Sequence, residues 1–144
     1  MQSFPHNYTS TTVGHSSGYL TSHSRTCPQL PIAEPSEFGG DGEVWSPEQL
    51  FISTVASCLI LTFRVIARAS NFEWQDIACE ASGKLDRVEG MNMFTQVNLD
   101  VRLTIDSATD EKKALRILTK AENQCLIKNS MASEVNFKNE IIIN

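Results

Sequence analysis

The stretch Ser46–Asn71, SPEQLFISTVASCLILTFRVIARASN, predicts one long helix around which the other elements are arranged. Its start carries three matched signals. Ser46 is a favoured capping residue and Pro47 suits the first helical position, while Gln49 completes a reciprocal pattern of side-chain to backbone hydrogen bonds with the cap. We therefore expect the helix to begin directly after Ser46 and to occupy most of residues 46–71.

The middle of this helix is apolar on every face. No charged residue occurs between Leu50 and Phe63, and a helix of this kind is buried in protein or in lipid. The uncharged run is too short to cross a bilayer, and Arg64 and Arg68 follow at once, so we expect the core helix of a water-soluble protein. Because a chain of 144 residues offers little material to surround such a helix, the pattern also indicates a homodimer.

Composition narrows the class of protein. The chain has a formal net charge of −5, and its Lys and Arg residues are dispersed, which argues against a nucleic-acid partner. The first ten residues lack the basic and apolar parts of a signal peptide, so we expect a cytoplasmic protein, without membrane attachment, whose cysteines are thiols. The cysteines form no CxxC pair, and we expect neither a metal nor another cofactor; they are Cys27, Cys58, Cys79 and Cys125.

The segments on either side of the helix predict strands and a second helix. Residues 1–45 predict three short strands and a glycine-rich loop. Residues 73–105 alternate between apolar and polar, with Phe94 as the exception, and predict an antiparallel hairpin. Residues 107–126 predict an amphipathic helix, and 134–143 predict a last strand. This order is that of an α+β fold, and we expect one domain spanning all 144 residues.

Two of the cysteines suggest chemistry. A cysteine in a core usually packs as a small hydrophobic residue, and Cys79, on the apolar face of the hairpin, is interpreted in that way. Cys58 and Cys125 differ because they lie on the apolar stripes of two helices that share a small core, although spacing alone leaves open whether their sulfurs meet. In a two-cysteine peroxidase one thiolate attacks the O–O bond, and the second thiol then closes a disulfide. A buried attacking thiol needs a cationic partner, which Glu48 could orient.

The chain resembles a known family in these same segments. SPEQLF at Ser46–Phe51, followed by ASC at Ala56–Cys58, is similar to the Asn-Pro-Glu-Glu/Gln-Leu…Ala-Cys helix of the OsmC/Ohr family (osmotically inducible protein C / organic hydroperoxide resistance), in its OsmC-like branch. The hairpin at 77–105 and the segment Cys125–Ser130, which is similar to the family's Cys-Pro-x-Ser-Asn-Ser, add to the resemblance. Together these segments extend it over roughly residues 8–143.

The resemblance implies an intertwined homodimer, with two central helices packed back to back and sheets shared between the chains. It also implies that Cys58 attacks the peroxide, that Cys125 resolves the intermediate, and that Glu48 is the carboxylate near the site. The implied activity is a cysteine-based peroxidase that reduces organic hydroperoxides and is reset by a thiol or dithiol reductant. The competing expectation is a binding or redox-sensing protein of the same fold, which holds an apolar small molecule near Cys58 without turnover.

This sequence departs from the family pattern at two places. In the family an arginine on the N-terminal strands pairs with the glutamate and holds the thiolate, but the corresponding turn here, Gly14–Gly18, contains none. Arg25 is the single arginine before the helix and is our candidate for that cation, with His15 as a second candidate. In the later segment, Leu126 stands where the family has proline and Lys128 where it has its first serine. The missing arginine favours the non-catalytic alternative.

Overall fold

The computed structural model describes residues 3–144, which form two compact units. The first unit ends at Leu50, and the second spans Phe51–Asn144. Their elements follow one another as strands, helix, hairpin, helices and strand. The predicted α+β class is therefore confirmed.

Three short antiparallel strands form the sheet of the first unit. They are β1 (Thr11–Val13), β2 (Leu20–His23) and β3 (Leu30–Ile32), each shorter than its predicted range. Pro31 lies in the edge strand β3, where its missing N–H costs no central ladder bond. A short 3₁₀ helix at Ser36–Phe38 follows, and the chain then returns to β3 through a bridge between Ile32 and Trp45. This bridge brings the chain to the start of the long helix.

Helix α1 (Pro47–Ala69) begins where the capping pattern predicts. The Ser46 N–H donates to Gln49 Oε1 at 3.0 Å, and the Gln49 N–H donates to Ser46 Oγ at 3.2 Å. Ser46 is only 1% exposed, so the reciprocal pair satisfies polar groups that water does not reach. After the helix, Asn71 takes a left-handed conformation with φ of 46°, which stops the helical hydrogen bonding.

Within the second unit, the described chain covers one face of α1 and leaves another open. The covered stripe holds Val55, Leu59, Phe63, Ile66 and Ala67. Leu61 and Val65 remain 56% and 52% exposed, so the expectation of burial on every face is wrong for the single chain, which places one layer of structure against the helix. The length of α1 and its mean hydropathy of 2.1 over 18 residues also meet the requirement for a membrane span, a test that core helices of soluble proteins pass as well.

The sheet of the second unit contains the predicted hairpin and the predicted last strand. Its strands are β4 (Asp76–Val88), β5 (Met91–Ile105) and β6 (Glu134–Ile143) in the order β4–β5–β6. The β4–β5 pair is antiparallel, whereas β6 runs parallel to β5. Alternate residues of β5 are buried, as the alternation predicts, and these are Val97, Leu99, Val101, Leu103 and Ile105.

A β-bulge accounts for the one break in the alternation of β5. Lys84 pairs with Gln96, whereas the next residue of β4 pairs with Phe94, so Thr95 is an extra residue in β5. The extra residue reverses which side of the sheet the following positions face. Phe94 therefore turns to the helix side, where its ring stacks on Phe51 with the centroids 5.0 Å apart.

The predicted helix at 107–126 is divided into three parts. A 3₁₀ turn at Ala108–Asp110 precedes α2 (Glu111–Gln124), and α3 (Leu126–Asn129) follows after the extended residue Cys125. One face of α2 packs into the core together with the covered stripe of α1 and the inner face of β5; its buried residues are Ala114, Ile117, Leu118 and Ala121. Both predicted cysteine-bearing stripes therefore belong to one core.

Candidate functional site

Cys58 lies in the middle of α1, on the open stripe. It follows Phe51 by seven residues and precedes Leu61 by three and Val65 by seven, so the four side chains share one face of the helix. Unlike Leu61 and Val65, Cys58 is partly buried and packs against the core. Its thiol therefore lies between the protein core and the uncovered side of α1.

Cys125 meets Cys58 from the other helix pair. Its side chain is fully buried, at 0% exposed, in the joint between α2 and α3. The Cys125 thiol donates to the Val55 carbonyl oxygen, one helical turn before Cys58, at 3.9 Å, and is also within hydrogen-bonding range of the Cys58 thiol. The structure thus brings the two predicted redox cysteines together, and both are thiols.

The surroundings of Cys125 determine which thiol is the better nucleophile. Burial raises the pKa of the Cys125 thiol, and the neighbouring Cys58 thiol raises it further. The backbone N–H groups of Lys128 and Ile127 hydrogen-bond to the Cys125 sulfur and oppose this rise, but the net shift is upward. Cys125 therefore holds its proton at neutral pH, which suits a resolving thiol better than an attacking one.

A third thiol, Cys79, lies near the pair. Cys79 is on β4, partly buried, and packs against the same core. Burial raises the pKa of Cys79 to about 11, and the negative charges of Asp100 and of ionised Cys125 contribute to the rise. The sequence indicated only a packing role for Cys79. Its proximity to Cys125 depends on how β4 and α2 pack, which no local pattern reveals.

In the first unit, Glu48 lies beside a cavity of about 490 Å³. The Glu48 Oε2 atom is buried and has no hydrogen-bond partner within residues 3–144. A desolvated carboxylate oxygen without a donor is costly, so this atom marks a place where a donor group would bind. Part of the cavity wall is the turn 15–18 and the rest is mostly apolar, including Leu20, Ile32, Ala33, Pro35 and Phe38.

The structure brings His15, rather than Arg25, to the Glu48 cavity. His15 lies in the turn that lines the cavity. Arg25 is exposed in a later turn, with φ of 46°, and is not among the cavity-lining residues of the described chain. Glycines at both ends of the turn 14–18 were the available sequence signal for a close approach, since Gly18 adopts φ of 82°.

A second groove, of about 400 Å³, lies on the outer face of the second sheet. It is lined by both signs of charge, including Glu80, Asp100, Arg102 and Lys138. Glu80 pairs with Asp100 and Asp100 with Lys138 across the strands, as is typical of a solvated sheet face. Within residues 3–144, no three His, Cys, Asp or Glu side chains are grouped to hold a metal ion.

Comparison with solved structures identifies the fold. An OsmC-like protein from Vibrio cholerae O1 biovar eltor superposes with a TM-score of 0.84 at 18% identity, covering 94% of this chain and 100% of that chain. The organic hydroperoxide resistance protein OsmC from Legionella pneumophila superposes with a TM-score of 0.74 at 22% identity, covering 98% and 100% of the two chains. At these identities the likeness shows a shared fold.

Sequence comparison identifies the family. The uncharacterized protein YmaD of Bacillus subtilis is 26% identical over 112 residues, which cover 76% of this chain and 75% of YmaD. The family model for OsmC-like proteins matches residues 40–140, a span that contains Glu48, Cys58 and Cys125. Since that span is well over half of the chain, this protein belongs to the OsmC-like family, which is related to organic hydroperoxide resistance.

Proposed function

We propose that this protein is a thiol-dependent peroxidase that reduces organic hydroperoxides. The observation that carries the proposal is the hydrogen-bonding approach of the Cys125 thiol to the Cys58 thiol inside one core. Two thiols at this separation can form a disulfide with little rearrangement, which is the requirement for a two-cysteine cycle. The related protein from Legionella pneumophila that bears the name organic hydroperoxide resistance protein supports the same class of substrate.

In the proposed cycle, the Cys58 thiolate attacks the terminal oxygen of the hydroperoxide ROOH. The O–O bond breaks, Cys58 becomes a sulfenic acid and the alcohol ROH leaves after taking up a proton. The Cys125 sulfur then attacks the Cys58 sulfur and displaces the hydroxyl group as water, with the Cys125 proton completing that water molecule. Two equivalents of a thiol, or one dithiol, reduce the disulfide and restore both thiols.

The open stripe of α1 supports a homodimer as the working form. Leu61 and Val65 are each about half exposed and lie on the same face as Cys58. Covering this stripe with the same stripe of a second copy removes apolar surface from water and encloses Cys58. We place the protein in the cytoplasm because its cycle depends on thiol reductants.

Hydroperoxide consumption with a dithiol reductant tests the proposal. Cys58→Ser is expected to reduce turnover to the rate of the buffer. Cys125→Ser is expected to stop after one equivalent and to accumulate a Cys58 sulfenic acid that dimedone traps, whereas the matched control Cys79→Ser keeps turnover. Mass-spectrometric mapping should find a Cys58–Cys125 disulfide. Unchanged turnover in Cys58→Ser, or a dominant bridge to Cys79 or Cys27, would contradict the assignment.

The source of the activating cation is tested in the same assay. Arg25→Ala and His15→Ala each remove one candidate, and losing a positive charge near a thiol lowers its reactivity by roughly tenfold or more. The position of His15 in the Glu48 cavity favours a larger loss for His15→Ala. A loss confined to Arg25→Ala would assign the cation to Arg25 instead.

A second candidate function is non-catalytic binding of an apolar small molecule. It is favoured by the largely apolar wall of the 490 Å³ cavity in the first unit. In that case wild-type protein shows no hydroperoxide turnover, and Cys58 alkylates no faster than an ordinary exposed thiol. Titration with an apolar fluorescent probe, compared between wild type and Ala33→Trp, then locates the binding site.

A further inference from the structure

Cys125 occupies a joint between two helices that is held mainly by polar contacts. It is the single extended residue between α2 and α3, with φ of −67° and ψ of 109°. Its N–H donates to the Glu122 carbonyl oxygen at 3.3 Å, and its own carbonyl oxygen accepts from the Asn129 N–H at 3.0 Å. The joint thus turns the chain sharply at the resolving cysteine.

Helix α3 contributes little apolar packing to this joint. It has four residues, and none of them is buried in the described chain; Leu126 is 69% and Ile127 36% exposed. A single helical turn is not stable by itself, because nucleation costs more than one turn of hydrogen bonds returns. Contacts other than core packing must therefore hold α3 against the end of α2.

Two side-chain contacts span the joint. Lys128 Nζ lies 2.8 Å from Glu122 Oε1, and Asn129 Nδ2 donates to the Asn123 carbonyl oxygen at 3.0 Å. Both contacts join residues six positions apart, on opposite sides of Cys125. The two ion-paired side chains are each only 20% exposed, whereas those of the Lys84–Asp86 pair are 61% and 46% exposed. A sheltered pair is screened less by water and salt than an exposed one.

Lys128 connects this ion pair to the cysteine itself. Its backbone N–H hydrogen-bonds to the Cys125 sulfur, while its side chain is paired with Glu122 on α2. Releasing the side chain would free α3 to move, and the N–H contact to the sulfur would move with it. The position of the Cys125 sulfur relative to Cys58 then depends on the Lys128–Glu122 pair.

We propose that the Lys128–Glu122 ion pair is a positioning device that keeps the Cys125 sulfur directed at Cys58 and so sets the rate of disulfide closure. This role rests on the proposed peroxidase function. The step concerned is attack of the Cys125 sulfur on the Cys58 sulfenic acid, in which the S–S bond forms and water leaves. Lys128 and Glu122 touch neither reacting oxygen nor peroxide, so the preceding oxidation of Cys58 is independent of them.

The experiment compares Lys128→Met and Glu122→Gln with wild type after mixing with one equivalent of hydroperoxide. Closure of the disulfide is expected to slow about fivefold, as for the loss of a partly sheltered ion pair. Formation of the Cys58 sulfenic acid, trapped with dimedone, keeps its rate. The charge-reversed double variant, Glu122→Lys with Lys128→Glu, is expected to restore closure. Lys84→Met, which breaks the exposed pair, is the matched control and leaves both rates unchanged.

A second measurement does not depend on peroxide. Equilibration in glutathione redox buffers gives the dithiol–disulfide ratio of Cys58 and Cys125, and Lys128→Met is expected to shift it about fivefold toward the dithiol. If wild type fails to consume hydroperoxide but this shift is present, the peroxidase assignment fails and the positioning role stands. Should either variant fold poorly, Asn129→Ala, which removes the second contact, gives the same shift. Unchanged closure and an unchanged ratio in all three variants would overturn the proposal.

Discussion

Replacing Leu61 by glutamate is expected to abolish self-association of this protein. Leu61 is 56% exposed at the centre of the open stripe of α1, in line with Cys58 and Val65. Because a twofold interface uses the same patch on both copies, a single substitution changes the contact twice. The wild-type chain is expected to be a dimer at micromolar concentration, without an appreciable folded monomer.

The magnitude follows from the exposed fraction. Burying a whole leucine side chain contributes about 1.5–3 kcal/mol, so the exposed half of Leu61 contributes about 1 kcal/mol per copy. Losing this twice, about 2 kcal/mol, weakens the dimer about 30-fold. Each glutamate also brings a carboxylate into an apolar contact, with a desolvation penalty of several kcal/mol. The dissociation constant is therefore expected to rise by at least 30-fold.

Sedimentation equilibrium over a dilution series measures this change. Thr119→Glu, on the exposed face of α2, is the control because it adds the same charge away from the open stripe. The control should assemble like wild type, whereas Leu61→Glu should sediment as a monomer or unfold. A wild-type chain that is a stable, folded monomer at micromolar concentration, or a Leu61→Glu variant with wild-type affinity, would refute the reasoning.

Two further predictions concern the second unit. Gly83→Ala places a methyl group against Ile52 and, at 2.9 Å, the Phe94 ring, so it should destabilise the fold by about 1–3 kcal/mol in urea unfolding; an unchanged midpoint would mean that the bulge yields freely. Burial raises the pKa of Cys79 from 9.0 to about 11, so its thiol stabilises the fold fully below pH 9 and loses that contribution as pH rises through 11; wild type should therefore lose stability relative to Cys79→Ala across this window, and alkylation of Cys79 with a midpoint near pH 9 would contradict the cause.

The sequence predicts the frame of the molecule because its signals are local. The start of α1 follows from Ser46 and Gln49, whose contacts lie within one helical turn. The bulge at Thr95 and the open stripe of α1 are not predictable in this way. The first depends on pairing between two strands, and the second on how much of the helix the single chain covers, which hydrophobicity alone does not distinguish from burial by a second copy.

The candidate site divides along the same line. The meeting of Cys58 and Cys125 follows from two apolar stripes that share one core. By contrast, choosing between Arg25 and His15 requires the path of the first-unit loops, and the sequence favoured the residue that the structure leaves outside the Glu48 cavity. The role of Lys128 was also hidden, because its contact with Glu122 forms only when the chain breaks from helix at Cys125.

The surroundings of the three core thiols explain why the proposed disulfide would join Cys58 to Cys125 and exclude Cys79. Burial acts on both Cys79 and Cys125, but backbone N–H groups from α3 offset it at Cys125, whereas the charge of Asp100 adds to it at Cys79. A thiol with a pKa of about 11 is almost fully protonated at neutral pH and attacks a sulfenic acid slowly. The short helix α3 therefore does two things at once: its N–H groups ease ionisation of Cys125, and its ion pair to α2 directs that sulfur at Cys58. Without α3, Cys125 would be as inert as Cys79.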